Sequence, residues 1–300
     1  MNNLSAIPIF VTVVKRGSFS KAAVELKITT SAVSKRINQL EQNLDARLFN
    51  RTTRSLTLTE MGEVYFEFAN KAFNLTQQGS EALQNLKQKP TGKLRINAPM
   101  SFGRLHLAKV MPEFLNQQPD IEVELSLDDR MTDYVDEGID VGIRIGNLPD
   151  NSLIAQRLAP CNSVLCASPE YVKKCGLPRT PSELENHNCL FYSYFRAGFE
   201  WTFMKDKEVY SVKPTGTYQV NNSEALKEAL LQDVGIGNMP LFIIENELKN
   251  GSLVSVLDEY SLPKHTINVV YPNREHLPLK VVAFIEFLKT KFKTDTPDWG

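Results

Sequence analysis

The side chains with most to offer chemically are gathered in one short stretch, Thr30-Ser31-Ala32-Val33-Ser34-Lys35-Arg36-Ile37-Asn38. Val33, Ile37, Leu40 and Leu44 recur at helical spacing and fall within a narrow arc that must face a core. The opposite arc collects Ser31, Ser34, Lys35, Asn38 and Gln42, which are hydroxyls, amides and a cation with no carboxylate to repel phosphate. That face suits the major groove of DNA, although any solvated helix face is also polar. A second set, Arg51 and Arg54, brackets a predicted turn, where a guanidinium reaches a phosphate or enters a narrow minor groove.

Other chemistries lack their residues. The sequence has no GxSxG, no phosphate-loop pattern and no HExxH, and His106, His187, His265 and His276 stand apart from one another. Cys161, Cys166, Cys175 and Cys189 are spaced 5, 9 and 14 apart, which is neither a CxxC pair nor a zinc pattern. They read as small apolar fillers in a reducing compartment, with a redox role the minor alternative. No catalytic residue, metal or cofactor is expected, and the protein is read as a binder rather than an enzyme.

The elements around the polar helix sharpen its reading. Leu4, Ile7, Phe10, Val11 and Val14 mark a first amphipathic helix stopped by Gly17; Ser18 caps a second, Phe19–Leu26; Thr29 caps the third. Lys27 and Ile28 alone separate the second helix from that cap, the spacing of a helix-turn-helix. Leu48–Leu58 then predicts two short strands around a turn, a wing. Charge follows the same division. Of the 300 residues, those through Thr59 carry nine basic and three acidic side chains, +6, against −1 for the whole chain, so the remainder is at −7. A basic head on an acidic body fits a phosphate-gripping module joined to a larger domain of another purpose.

The segment Gly17–Phe66, GSFSKAAVELKITTSAVSKRINQLEQNLDARLFNRTTRSLTLTEMGEVYF, resembles the signature of LysR-type transcriptional regulators, with its LE, LF, R-x-x-R and LT-x-x-G in order. The resemblance implies major-groove contacts from Thr30, Ser31, Ser34 and Lys35 and wing contacts from Arg51 and Arg54. Arg36, nearer the apolar arc, and Asn38 complete the candidate DNA-facing set, Arg36 as a phosphate-facing or structural residue. Two departures stand out: Thr30-Ser31 replaces a common Gln-Pro, and Asp45 replaces the usual Gly after the helix. Asp tolerates a left-handed cap better than most residues, so the fold should survive the second.

From Thr59 to about Gln88, Met61, Tyr65, Phe68, Ala72, Leu75, Gly79, Ala82 and Leu86 step by fours and threes. Some 28 residues at about 1.5 Å each make a rod of about 42 Å, too long to bury its stripe on one small domain, which predicts self-association. Two heads per dimer suit a pseudo-palindromic site, and the resemblance implies further pairing into a homotetramer.

Beyond the breaker Pro90-Thr91-Gly92, strands and helices alternate in an order that favours a parallel sheet. Residues 93–98, 121–127 and 141–145 read as strands, 101–116 and 131–137 as helices. The resemblance continues through LRINAPMSFG, DVGIRIG, VGIGNMP and LPLKVVAFIEFL and implies a two-lobed, periplasmic-binding-protein-like effector domain. The expected fold is therefore α/β overall: a winged helix-turn-helix head over 1–58, a linker and dimerisation helix over 59–88, a hinge at 89–92 and an effector domain over 93–300. Lobe I would span 93–161 and 268–300, and lobe II 162–267.

A ligand is expected at strand carboxyl ends, where helix starts offer free N–H groups. Ser101 and Phe102 follow the first strand, Arg144 is the sole charge in the apolar run Val141–Ile145, and Asn222 opens a helix in Asn221-Asn222-Ser223-Glu224. Each has a plainer reading: Ser101 as a cap, Arg144 paired with Asp140 or Asp128, and the asparagines closing their own helix. Tyr192, Tyr194 and Phe203 line the cleft or pack the core. The function expected is a sequence-specific transcription factor that binds double-stranded promoter DNA as a homodimer and responds to a small, anionic organic effector. RNA polymerase is a further possible partner. With no long apolar run and no basic leader, neither a membrane nor secretion is expected, and the location is read as cytoplasmic.

Overall fold

The structure, a computed structural model, describes residues 4–51, 56–85, 89–130, 133–146, 153–194, 200–273 and 277–292, with backbone alone at 51 and 81–85. The chain divides into two compact units, Met1–Gln88 and Lys89–Gly300.

In the first unit, α1 (Ile7–Arg16) stops at Gly17, whose left-handed φ of 59° turns its N–H onto the Val14 carbonyl. Ser18 caps α2 (Phe19–Glu25) by accepting the Lys21 N–H, and Thr29 caps α3 (Thr30–Leu44) by accepting that of Ala32. Asp45 ends α3 in the left-handed conformation at φ 49°, the geometry expected of it from sequence. β1 (Phe49–Arg51) and β2 (Leu56–Leu58) pair antiparallel as the wing, and α4 runs Glu60–Asn85. Phe10 centres the core, its ring 5.4 Å from Phe49, 5.3 Å from Tyr65 and 6.3 Å from Phe66. Val33, Ile37 and Leu40 are buried beside it, with Leu44 at the margin.

The packing of Tyr65 corrects the seam read from sequence. Its ring belongs to the core of the first unit, and Val64 takes its place in the outward stripe. Met61, Val64, Phe68 and Leu75 are exposed by 62%, 58%, 65% and 69%, an apolar line at spacings of three, four and seven residues. The seam residue Leu86 lies outside the described residues.

The second unit contains, in chain order, β3 (Gly92–Ala98), α5 (Met100–Phe102), a π-helical turn (Gly103–Leu107), α6 (Ala108–Gln117), β4 (Ile121–Leu127), α7 (Tyr134–Glu137), β5 (Val141–Ile145) and β6 (Leu153–Cys161). There follow β7 (Ser163–Ala167), α8 (Pro169–Cys175), β8 (Cys189–Tyr192), β9 (Trp201–Lys205), β10 (Glu208–Val212) and β11 (Tyr218–Val220). The unit closes with α9 (Ser223–Leu231), β12 (Ile236–Pro240), α10 (Leu241–Lys249), β13 (Val254–Val256), β14 (His265–Pro272) and α11 (Leu279–Phe292). One sheet has the order β4-β3-β5-β14-β6 and defines lobe I; the other, β11-β8-β12-β7-β13, defines lobe II.

Each sheet has two parallel pairings followed by two antiparallel ones, so the sheets are mixed where the alternation of elements favours a parallel one. The cause is the double passage of the chain. β6 leads directly into β7 of the other sheet, and β14 returns from lobe II into lobe I without a crossover helix, which reverses its direction. Of the helix expected over 131–137, Tyr134–Glu137 forms, and Met131 lies outside the described residues. Gly92 is already the first residue of β3, and Lys89 pairs with Asp120, so both ends of the expected 89–92 hinge are fastened to the second unit.

Candidate nucleic-acid interface and effector cleft

The caps of α3 fix which of its sides is free. With Val33, Ile37 and Leu40 inward, Thr30, Ser31, Lys35, Arg36 and Asn38 are exposed and Ser34 is half-buried. Ser31 and Thr29 share a hydrogen bond at 3.0 Å, which holds the hydroxyls at the start of the helix. Of the wing residues, Arg51 ends β1, with its side chain outside the described residues, and Arg54 lies wholly outside them.

Sequence reading identified the LE, LF and LT-x-x-G motifs without assigning them a task, and the structure supplies one. The Glu41 carboxylate accepts the backbone N–H of Leu48 at 2.8 Å and of Phe49 at 3.1 Å, fastening the root of the wing to α3. The Thr59 hydroxyl donates to the Arg47 carbonyl at 2.6 Å and accepts the Gly62 N–H at 2.9 Å, starting α4. Any Cβ at position 62 would penetrate the Leu48 carbonyl oxygen, so glycine is required by close approach rather than by conformation. Glu41→Ala is expected to destabilise the head by about 1.5–3 kcal/mol, since two N–H groups lose a charged acceptor. Hydrogen exchange should show the Leu48 and Phe49 amides losing protection first; retained protection would contradict the assignment.

In the second unit, contacts between the lobes are concentrated on Met100–Leu107. Arg104 forms a two-pronged ion pair with Glu224 at the start of α9, Nε to Oε2 at 2.8 Å. His106 Nε2 lies 3.1 Å from the Phe242 carbonyl, and burial of the ring lowers the imidazole pKa. Asn222 caps α9 by accepting the Ala225 N–H at 2.9 Å, and its amide also reaches the Met100 sulfur at 2.9 Å. Asp129 accepts the Met100 N–H at 3.3 Å and bonds the Tyr192 side chain of lobe II, while burial raises its carboxyl pKa.

The four cleft residues expected from sequence therefore differ in position. Ser101 is buried one residue inside α5, where Pro99 occupies the cap position, so it does not cap the helix. Phe102 is fully buried, its ring stacked on His106 at 5.4 Å and near Phe242 and Phe292 at 5.7 and 5.5 Å, so as it stands it is a core residue. Asn222 closes its own helix, the plainer reading, and its amide also reaches Met100 of lobe I. Arg144 is not taken by either acid weighed for it: Asp140 pairs with Lys280 at 3.0 Å, and Asp128 with Arg130 at 2.6 Å. Phe203 packs in the lobe II core, whereas Tyr194 is exposed and stands edge-on to Tyr192 at 6.0 Å.

Arg104, His106 and Asp129 were missed by sequence reading, because nothing local marks a residue whose partner is Glu224, Phe242 or Tyr192. The π-helical turn that aims Arg104 and His106 is equally silent in sequence. Cys161, Cys166 and Cys189 are buried, and burial pushes their thiols up to about 12. Cys175 is exposed, and all four cysteines are free. Among the described residues no three His, Cys, Asp or Glu side chains are grouped to hold a metal, and no helix is long and apolar enough to cross a membrane.

A winged helix-turn-helix ahead of a two-lobed α/β body defines a DNA-binding regulator with a small-molecule-sensing domain. Residues 4–63 match the family described as bacterial regulatory helix-turn-helix protein, lysR family, and residues 87–293 the LysR substrate binding domain. The chain belongs to the LysR family of transcriptional regulators, and so is a regulator of transcription rather than an enzyme. It is 33% identical to the transcriptional regulator PtxR of Pseudomonas aeruginosa, over 96% of this chain and 92% of that one. The probable regulator LtrA of Klebsiella pneumoniae is 32% identical, over 96% and 94%. Among solved structures, full-length AphB of Vibrio cholerae superposes with a TM-score of 0.65 at 28% identity, covering 97% of this chain and 99% of that one. CrgA of Neisseria meningitidis gives 0.61 at 29% identity, covering 95% and 97%.

Proposed function

We propose that this regulator reads promoter DNA with Thr30, Ser31, Ser34, Lys35, Arg36 and Asn38 of α3 and with wing residues Arg51 and Arg54, and that a small molecule held between the lobes controls how the heads are presented. The observation that carries the first part is the outward face of α3, which bears hydroxyls, an amide and two cations and no acid at these positions. The second part is supported by the contacts from Met100 to Asn222 and from Asp129 to Tyr192, which join the two lobes next to Ser101 in sequence. A ligand that touches both lobes favours the form in which they are closer, and only that difference can shift the equilibrium.

In this reading the protein is a cytoplasmic homodimer joined through the Met61, Val64, Phe68 and Leu75 stripe of α4, with pairing of dimers into a tetramer as its extension. Contact with RNA polymerase belongs to the same reading as the step through which the bound regulator acts. The segment read from sequence as the hinge, 89–92, carries the change from effector domain to helix.

Lys35→Ala is expected to weaken binding to the cognate promoter by roughly 1–3 kcal/mol and to relax base preference at one position. Arg54→Ala should weaken binding to all sequences alike and flatten the salt dependence. Fluorescence anisotropy against a promoter fragment and a scrambled duplex, across a salt series, distinguishes these outcomes. Unchanged affinity in both variants would remove the interface.

A further inference from the structure

Among the described residues, Arg144 and Tyr134 each carry a buried hydrogen-bond donor without an acceptor. Arg144 is 7% exposed; its Nη1 donates to Asn97 Oδ1 and to the Ile143 carbonyl, while its Nη2 has no partner among the described residues. Tyr134 is 2% exposed and its Oη likewise has none. The two belong together: the guanidinium carbon lies 5.1 Å from the centroid of the Tyr134 ring. Gly142, two residues before Arg144 on the same face of β5, makes room for the phenol, because any Cβ there would penetrate Tyr134 Oη.

The acids nearby are committed elsewhere. Asp140 holds Lys280 and accepts the Arg95 N–H at 3.0 Å, Asp128 holds Arg130, and Asp129 is bonded to Met100 N and Tyr192. A buried cation with one of its two terminal amino groups unused is costly unless an anion completes it. Burial also pushes the Tyr134 phenol up to about 12, so it remains a donor at neutral pH.

We propose that Arg144 Nη2 and Tyr134 Oη form the anchoring subsite for the carboxylate of a monoanionic effector, in the neighbourhood of Asp129, which bonds Tyr192 of lobe II. Two donors and one positive charge match the two oxygens and single charge of a carboxylate. A dianion such as phosphate is disfavoured, because Asp128 and Asp129 both lie within electrostatic range of Arg144. The proposal rests on the reading that the effector sits between the lobes, and it names the chemical class of that effector.

The test uses the full-length protein with benzoate, benzamide and inorganic phosphate as probes, binding being followed by ligand-observed NMR. Benzoate should bind, with benzamide and phosphate at least about tenfold weaker, and Tyr134→Phe should weaken benzoate by about tenfold or more. Without ligand, Tyr134→Phe should melt no lower than the unsubstituted protein, because its hydroxyl has no partner to lose; a purely structural role would lower the melting temperature. Arg144→Lys keeps the charge but not the fork and should also lose benzoate. Equal binding of benzoate and benzamide, or benzoate binding indifferent to both substitutions, overturns the subsite. The parent reading is tested separately by DNA footprints with candidate metabolites. An effector that changes the footprint through Ser101 and Asn222 but not Tyr134 would retain the cleft and remove the carboxylate anchor. Benzoate binding that requires Tyr134 yet leaves every footprint unchanged would do the reverse.

Discussion

Phe68→Glu is expected to leave the protein monomeric at micromolar concentration and to weaken its hold on a promoter with two half-sites by about a hundredfold or more. Phe68 is solvent-exposed on α4, and Met61, Val64 and Leu75 extend the line on the same side, so the head can keep its own fold while the pairing surface is charged. Like charges brought face to face across a two-fold helix pair oppose association, and the exposed apolar area that drove it is reduced. Once the heads are separate, the second half-site no longer benefits from the local concentration that the first supplies. Light scattering gives the mass, anisotropy on one-half-site and two-half-site duplexes separates avidity from intrinsic affinity, and circular dichroism checks that the helices persist. A monomeric unsubstituted protein, or a variant that dimerises normally, would end the assignment of this stripe to an interface.

Lys280→Met should cost the C-terminal unit about 3–5 kcal/mol, because it removes one partner of a buried ion pair and leaves the other charged. Lys280 and Asp140 are both buried; the ammonium sits 3.0 Å from Asp140 Oδ2 and donates to the Lys93 carbonyl at 2.6 Å. The same carboxylate accepts the Arg95 N–H, so this pair ties the start of α11 to β3 and to the entry of β5. Both tryptophans, Trp201 and Trp299, follow the first unit in sequence, and Trp201 is buried in the lobe II core, so urea unfolding followed by tryptophan fluorescence reports on the second unit. The double variant Asp140→Asn/Lys280→Met should recover part of the loss, since no uncompensated charge is then buried. A midpoint shift equal to that of an ordinary surface substitution would show that the pair contributes little.

Much of the DNA-binding half was legible because its information is local. Gly17, Ser18 and Thr29 start and stop helices through hydrogen bonds within three residues, and Val33, Ile37 and Leu40 declare their inward face by spacing alone. Even the left-handed cap at Asp45 followed from the residue and its place after the helix. The α/β character of the C-terminal half was legible because strand and helix periodicities alternate along it, whereas its two-lobed plan came from the family resemblance.

What sequence spacing did not decide were the pairings between residues distant in the chain. Tyr65 shares a helical period with Met61 and Phe68, yet Phe10 draws it into the core and Val64 is left outside. The direction of β14 depends on the chain having to recross between lobes, which no local pattern records. Arg144 had two plausible acids by sequence, and the fold gave both to other cations, Lys280 and Arg130. Periodicity states which face of an element is apolar; only tertiary packing states which partner meets that face, because a contact between residues about a hundred positions apart has no signature at either end. Local signals specified the helices of the head, the caps at Gly17, Ser18, Thr29 and Asp45, the basic charge of the head and the family. The tertiary structure decided the exposed stripe of α4, the bridge from Met100–Leu107 to lobe II, and the two buried donors of Arg144 and Tyr134.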